Sequence, residues 1–136
     1  MTDNKTIKLL NFKIHGDNRG GLIALEENKD IPFNIKRIYY IFDTKNNVIR
    51  GKHAHKLEQV LICVHGECKI LLDNGTERKT VTLDKPDKGL YISNAIWREM
   101  FDFTNGAVLL VLASKLYDES DYIRQYDEFL KFIHKK

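Results

Sequence analysis

Cysteine is nearly absent from this chain, with only Cys63 and Cys68 among 136 residues. Two thiols cannot build the disulfide framework that small secreted domains rely on. They flank His65-Gly66, which reads as a two-residue turn, so a hairpin would set them opposite one another. In a reducing compartment they pack as small buried apolar groups instead. Long hydrophobic runs are also missing. The longest, Gly106 to Ala113, is far too short to cross a bilayer. The N-terminus, Met1-Thr2-Asp3-Asn4-Lys5, is polar and no apolar segment of a signal peptide follows it, so a cytoplasmic location is expected. Charge of one sign is scarce as well. Lys and Arg number 22 against 19 acidic residues, a formal net charge of +3. Without a dense basic stripe the balance suits a phosphorylated small molecule better than nucleic acid. No repeat, low-complexity tract or linker divides the chain.

What remains is the composition of one soluble domain spanning residues 1–136, 43% apolar and 30% charged,. Short β-branched and aromatic runs recur between turn signals. They are Ile7–Ile14, Leu22–Leu25, Ile35–Phe42, Gln59–Val64, Glu67–Leu72, Lys79–Leu83, Leu90–Ile92, Trp97–Phe103 and Ala107–Ala113. His65-Gly66, Asp73-Asn74-Gly75 and Asn105-Gly106 read as hairpin turns. Closely spaced strands without intervening helices predict an all-β sandwich or barrel. After Ser114 the period changes. Tyr122, Ile123, Tyr126, Phe129, Leu130 and Ile133 fall on one helical face, predicting a C-terminal helix from Asp121 towards His134 capped by Ser120. The acidic-aromatic run Tyr117 to Tyr122 reads as the entry to that helix.

The chemistry concentrates in Arg50-Gly51-Lys52-His53-Ala54-His55-Lys56-Leu57-Glu58. Residues two apart on a strand share a face, so His53 and His55 project side by side. Two imidazoles on one wall can bind a metal or move protons. The Gly-x-His-x-His-x-x-Glu spacing resembles the first motif of the cupin superfamily, whose metal-binding members add a His from a later motif. Its place here is Ser93 to Arg98, and the ligand position is Arg98. A guanidinium stays protonated and cannot coordinate a cation, so the pair reads as acid–base machinery without a metal. Arg19, Arg37, Arg50, Lys52 and Arg98 lie in segments that a barrel brings near one mouth, where they suit a diphosphate or an enolate. Tyr39 and Tyr40 are adjacent on a strand, so one phenol faces inward as a candidate proton donor.

Further segments follow in a fixed order: Arg19 to Leu22, Ile31 to Ile41, Gly89 to Ile92, Trp97 to Met100 and Leu112 to Arg124. Together with the histidine motif they resemble the dTDP-4-keto-6-deoxyglucose 3,4-ketoisomerases, small cupins similar to the dTDP-sugar 3,5-epimerases. The resemblance implies a cupin-type β-barrel or jelly roll with a C-terminal helix, assembled as a homodimer with exchanged N-terminal strands. It implies a dTDP-4-keto-6-deoxyhexose substrate, a 3-keto product destined for 3-amino-3,6-dideoxy sugars of surface glycans, and no cofactor. His53 would be the base at C-3, with His55 and Tyr39 relaying protons, although the two histidines can exchange roles. Arg19, Arg37, Arg50, Lys52 and Arg98 would hold negative charge. In this family an Arg at position 19 goes with a His at 98 in galacto-forming members, and a Tyr with an Arg in gluco-forming ones. Arg19 and Arg98 combine one residue from each pair, so both C-4 epimers stay open. A 3,5-epimerase, which uses one His with an Asp partner and a Tyr acid, and a non-catalytic sugar-binding cupin are the competing readings.

Overall fold

The alternating strands close into two facing sheets, with the apolar residues of each inner face turned towards the other. The computed structural model describes residues 7–134. Its strands are β1 (Ile7–Asn11), β2 (His15–Asp17), β3 (Gly20–Leu22), β4 (Arg37–Phe42), β5 (Arg50–Ala54), β6 (Gln59–His65), β7 (Cys68–Asp73), β8 (Arg78–Leu83), β9 (Lys88–Ile92), β10 (Trp97–Phe101) and β11 (Val108–Ala113). One sheet runs β1-β9-β6-β11-β4, the other β5-β10-β7-β8, and β2 pairs only with β3. Every ladder is antiparallel. Leu61, Cys63, Leu109 and Val111 from the first sheet meet Ile70, Leu72 and Met100 from the second in the main core. This is the all-β sandwich that the strand spacing predicts, in the jelly-roll form that the family resemblance implies.

Two of the expected hairpins are not hairpins. β6 and β7 flank His65-Gly66, and β10 and β11 flank Asn105-Gly106, but each pair is split between the two sheets. These turns are corners of the sandwich. Both sides of each turn carry inward apolar residues, and burying them against each other across the interior gains more than pairing them edge to edge. Gly66 has φ +76°, and a Cβ there would fall 2.7 Å from Thr104 Oγ1 and 2.8 Å from Ala107 Cα, so only glycine passes the first corner,. The Asp73-Asn74-Gly75 turn does join a true hairpin, β7–β8. Cys63 and Cys68 are free and buried, as packed thiols should be.

The first expected strand breaks at Asn11. Phe12 then turns in beside Ile31, Phe33, Val60 and Ile62, and the loop between β3 and β4 blankets part of the first sheet's outer face. The helix, α1 (Tyr126–His134), starts five residues later than its apolar period suggests. The residues before it serve another purpose. Ala54 and Ile123 exchange backbone N–H···O bonds of 2.9 Å in both directions, so the incoming chain caps the open edge of β5. Ser120 therefore caps no α-helix; it lies in the 3₁₀ turn Glu119–Asp121, whose own cap is Asp118. α1 then packs Phe129 against Ala54, Trp97 and Ile123. Tyr126 Oη donates to Asp73 Oδ2 (2.6 Å), which also accepts from Arg78 Nε (2.8 Å), pinning the helix to the β7–β8 hairpin.

Candidate active site

The histidines owe their placement to an irregularity in β5. Gly51 (φ +85°) and Lys52 (φ +56°) are both left-handed, and the register against β10 slips between Arg98 and Glu99. Such a bulge re-aims the side chains that follow it. Lys52 is thrown outward, while His53 and His55 turn into the sandwich with ring centroids 4.4 Å apart. Tyr122 stands edge-on to both rings, at 5.0 and 4.4 Å.

Each imidazole has one nitrogen fixed. His53 Nδ1 lies 2.9 Å from the Gly51 carbonyl, which can only accept, so Nδ1 carries the proton,. His55 Nδ1 lies 2.8 Å from Asp121 Oδ2, and Asp121 Oδ1 accepts the Lys56 N–H at 2.6 Å. Both Nε2 atoms are buried and have no partner in the protein. Neutral rings held this way present two Nε2 lone pairs. Burial first, and the Arg98 charge second, push His53 down to about 4, and the same causes drive His55 lower still. Both are neutral bases at physiological pH.

Arg98 is completely buried on the inner face of β10, cross-strand from His53. Its Nε and one terminal nitrogen donate to the Ile96 carbonyl at 3.2 and 3.0 Å, and the other terminal nitrogen donates to Gln59 Oε1. No ion pair among the described residues includes it. Burial lowers it to about 10, so it remains a cation at neutral pH. A buried cation without a bonded anion is costly unless a ligand supplies one.

In front of these groups opens a cavity of about 540 Å³, bordered by His53, Tyr39, Arg37, Arg50, Tyr122 and Arg124. Burial raises the Tyr39 phenol, which keeps its proton. Glu58, the remaining acid of the histidine motif, turns away and accepts a 2.5 Å bond from Tyr91 Oη. Among the described residues no three His, Cys, Asp or Glu side chains converge on one point.

The fold thus gathers His53, His55, Tyr39, Arg37, Arg50 and Arg98. It does not gather two other expected residues. Lys52 points to solvent, and Arg19 sits on the exposed β2–β3 hairpin bonded to Asp17 at 2.5 Å. Sequence reasoning passed over Asp121, Tyr122 and Arg124 by reading them as a helix entry, and gave no role to Gln59. The available signal was an acidic-aromatic run directly after the last strand, where a chain leaving a sheet can fold back over its edge.

A family model described as "FdtA: WxcM-like, C-terminal" matches residues 5–134. The TDP-4-oxo-6-deoxy-alpha-D-glucose-3,4-oxoisomerase of Aneurinibacillus thermoaerophilus is 58% identical over 129 residues, 94% of this chain and 93% of that protein. The chain belongs to this family. The crystal structure of a family 3,4-ketoisomerase from Helicobacter canadensis is 55% identical, with a TM-score of 0.94 over 96% of this chain and 99% of that one. A mutant of the 3,4-ketoisomerase QdtA from Thermoanaerobacterium thermosaccharolyticum, in complex with TDP-4-keto-6-deoxyglucose, is 49% identical. It superposes with a TM-score of 0.94 over 100% of this chain and 98% of that one. Family likeness therefore spans the whole sandwich, the histidine strand and the segment that caps it.

Proposed function

We propose that the protein is a dTDP-4-keto-6-deoxyglucose 3,4-ketoisomerase, an intramolecular oxidoreductase that moves the ketone from C-4 to C-3. The observation that carries this reading is a pair of imidazoles with unpartnered Nε2 atoms next to a buried, unpaired Arg98, with His53 and Tyr39 of this cluster bordering one cavity. A proton on the carbon next to a ketone is weakly acidic. Its removal needs a neutral base and a positive group to hold the enolate oxygen. His53, which borders the cavity, takes the C-3 proton. Arg98 and the Tyr39 hydroxyl stabilise the charge that develops on O-4. The enediolate then gains a proton at C-4 while the O-3 proton passes to O-4, leaving the ketone at C-3. His55 lies behind His53 and, steadied by Asp121, relays protons for this second half. Arg37 and Arg50 at the cavity edge suit the diphosphate.

The protein works in this reading as a single domain and as a homodimer. On the outer face of the first sheet Ile38, Tyr40 and Phe42 are each about 60% exposed, beside the groove lined by Ile14, Ile23, Val64 and Leu110. β1 pairs with β9 of its own chain. The β2–β3 hairpin bonds to neither sheet and is the element available for exchange. Exchange would carry Arg19 to a partner's site.

One observation favours a second reading. A His–Asp pair with a Tyr against it, here His55, Asp121 and Tyr122, is the set ascribed above to the 3,5-epimerases. Incubation with dTDP-4-keto-6-deoxyglucose, a 3-aminotransferase, pyridoxal phosphate and glutamate separates the two. A 3-amino sugar in the NMR spectrum establishes the isomerase, and its C-4 configuration identifies the epimer formed. Unchanged 4-keto sugar, or inversion at C-5, overturns it.

A further inference from the structure

Gln59 opens β6 on the inner face of the first sheet, and only 1% of its surface is exposed. Its amide stands between two site residues. Oε1 accepts from Arg98, and Nε2 lies 3.2 Å from Tyr39 Oη. The orientation of the amide is not free. A guanidinium has only donors, so the oxygen must face Arg98 and the NH₂ must face Tyr39. The Tyr39 oxygen is then an acceptor towards Gln59, and its hydrogen must point elsewhere. Tyr39 borders the cavity.

We propose that Gln59 is a positioning residue that aims the Tyr39 hydroxyl hydrogen into the cavity, completing a one-way donor chain from Arg98 through Gln59 and Tyr39 to the substrate oxygen. Each link in such a chain polarises the next. The polarity also decides the role of Tyr39. It can donate to an oxygen that gains negative charge, and it is prevented from accepting a substrate hydroxyl proton through the lone pair given to Gln59. The inference rests on the ketoisomerase reading for its kinetic consequence, while the direction of the Tyr39 hydrogen stands independently of it.

Two substitutions and one spectroscopic probe test this. Gln59→Met keeps the volume and removes both amide contacts. Gln59→Glu keeps the Arg98 bond but offers Tyr39 an acceptor, reversing the phenol. Each should lower kcat about 10²-fold, the scale of losing one donor to a developing oxyanion. KM and TDP affinity should stay within about threefold, because ground-state contacts are untouched. In a Tyr39→Phe background the further loss from Gln59→Met, which leaves the Arg98 charge in place, should shrink to below about threefold, the coupling expected of residues acting through one another. The Cζ resonance of ¹³C-labelled Tyr39, assigned by its absence in Tyr39→Phe, should move in both variants. In the Gln59→Glu protein the phenol should also titrate higher, beside the introduced carboxylate. This readout needs no substrate, so it separates failure of the inference from failure of the ketoisomerase reading. An unchanged Tyr39 resonance and titration in a folded, TDP-binding Gln59→Glu protein overturns the inference. So does a Gln59→Met loss of the same size with and without the Tyr39 hydroxyl.

Discussion

Replacing His53 with Asn removes the one imidazole that borders the cavity and leaves the surrounding cations in place. The expected outcome is a fall in kcat of about 10³-fold, the scale of a lost general base, with TDP still bound. Uptake of solvent deuterium at C-4 of the product should fall in step, which NMR in heavy water reads directly. Asp121 acts differently, through His55. An Asn there can turn an N–H towards His55 Nδ1, which favours the tautomer with the proton on Nε2. Asp121→Asn should therefore lower kcat about 10²-fold while TDP affinity is kept, since the residue lies behind His55 and away from the cavity edge. Equal activity in the variant would show that the carboxylate only ties the capping segment down. His53 and His55 were legible because a two-residue period on a strand has few outcomes. Asp121 was not, because 66 residues separate it from His55 and local periodicity is silent about such distances.

At the scale of elements, the site depends on how firmly residues 117–124 lie along β5. Ile123 bonds the edge strand, and α1 follows at once, so the helix anchors the segment that holds Asp121, Tyr122 and Arg124. Tyr126 is the accessible lever. Its hydroxyl bonds to Asp73, a nearly buried carboxylate held low by its Tyr126, Gly75 and Arg78 hydrogen bonds against the raising effect of burial. Tyr126→Phe keeps the ring contacts with Trp97 and Phe129 and removes only that bond. The expected cost is about 1 kcal/mol, the net value of such a hydrogen bond, seen as a lower thermal midpoint. A variant as stable as the wild type would mean that apolar packing alone seats the helix. The apolar face of α1 could be read from its 3.6-residue period, but its start could not. A backbone that can form strand bonds at an open sheet edge does so in preference to one more helical turn.

For the whole molecule, the two depressed imidazoles couple stability to pH. Their free value is 6.5, and His53 falls to about 4 in the fold. Below pH 6.5 the unfolded chain takes up protons that the folded chain refuses, so stability drops as pH falls. The drop continues until His53 itself protonates near 4, with a slope of about 1.4 kcal/mol per pH unit for each group. Denaturation midpoints between pH 7 and 4.5 should decline in the wild type and decline less steeply in His53→Asn. The assembly proposed for the protein has its own test. The proposed homodimer predicts that wild-type protein sediments as a dimer and that Phe42→Asp, which places a charge on the bare apolar strip of β4, sediments as a monomer. A wild-type protein that sediments as a monomer would reject the assembly outright.

The sequence by itself determined most of the strands after residue 35, the sandwich class, the facing histidines and the arginine that stands where a metal-binding cupin has its last histidine. Each of these follows from local residue period, turn chemistry or the inability of arginine to coordinate a cation. Tertiary structure alone decided which turns are corners and which are hairpins, because inward faces on two sheets can only be matched once both exist. It also decided that the run after β11 lies along a sheet edge, that Asp121 reaches His55, and that the amide of Gln59 stands between Arg98 and Tyr39. Those choices belong to contacts between distant segments, where burial and hydrogen-bond pairing across the fold outweigh any preference that a short stretch of sequence can express.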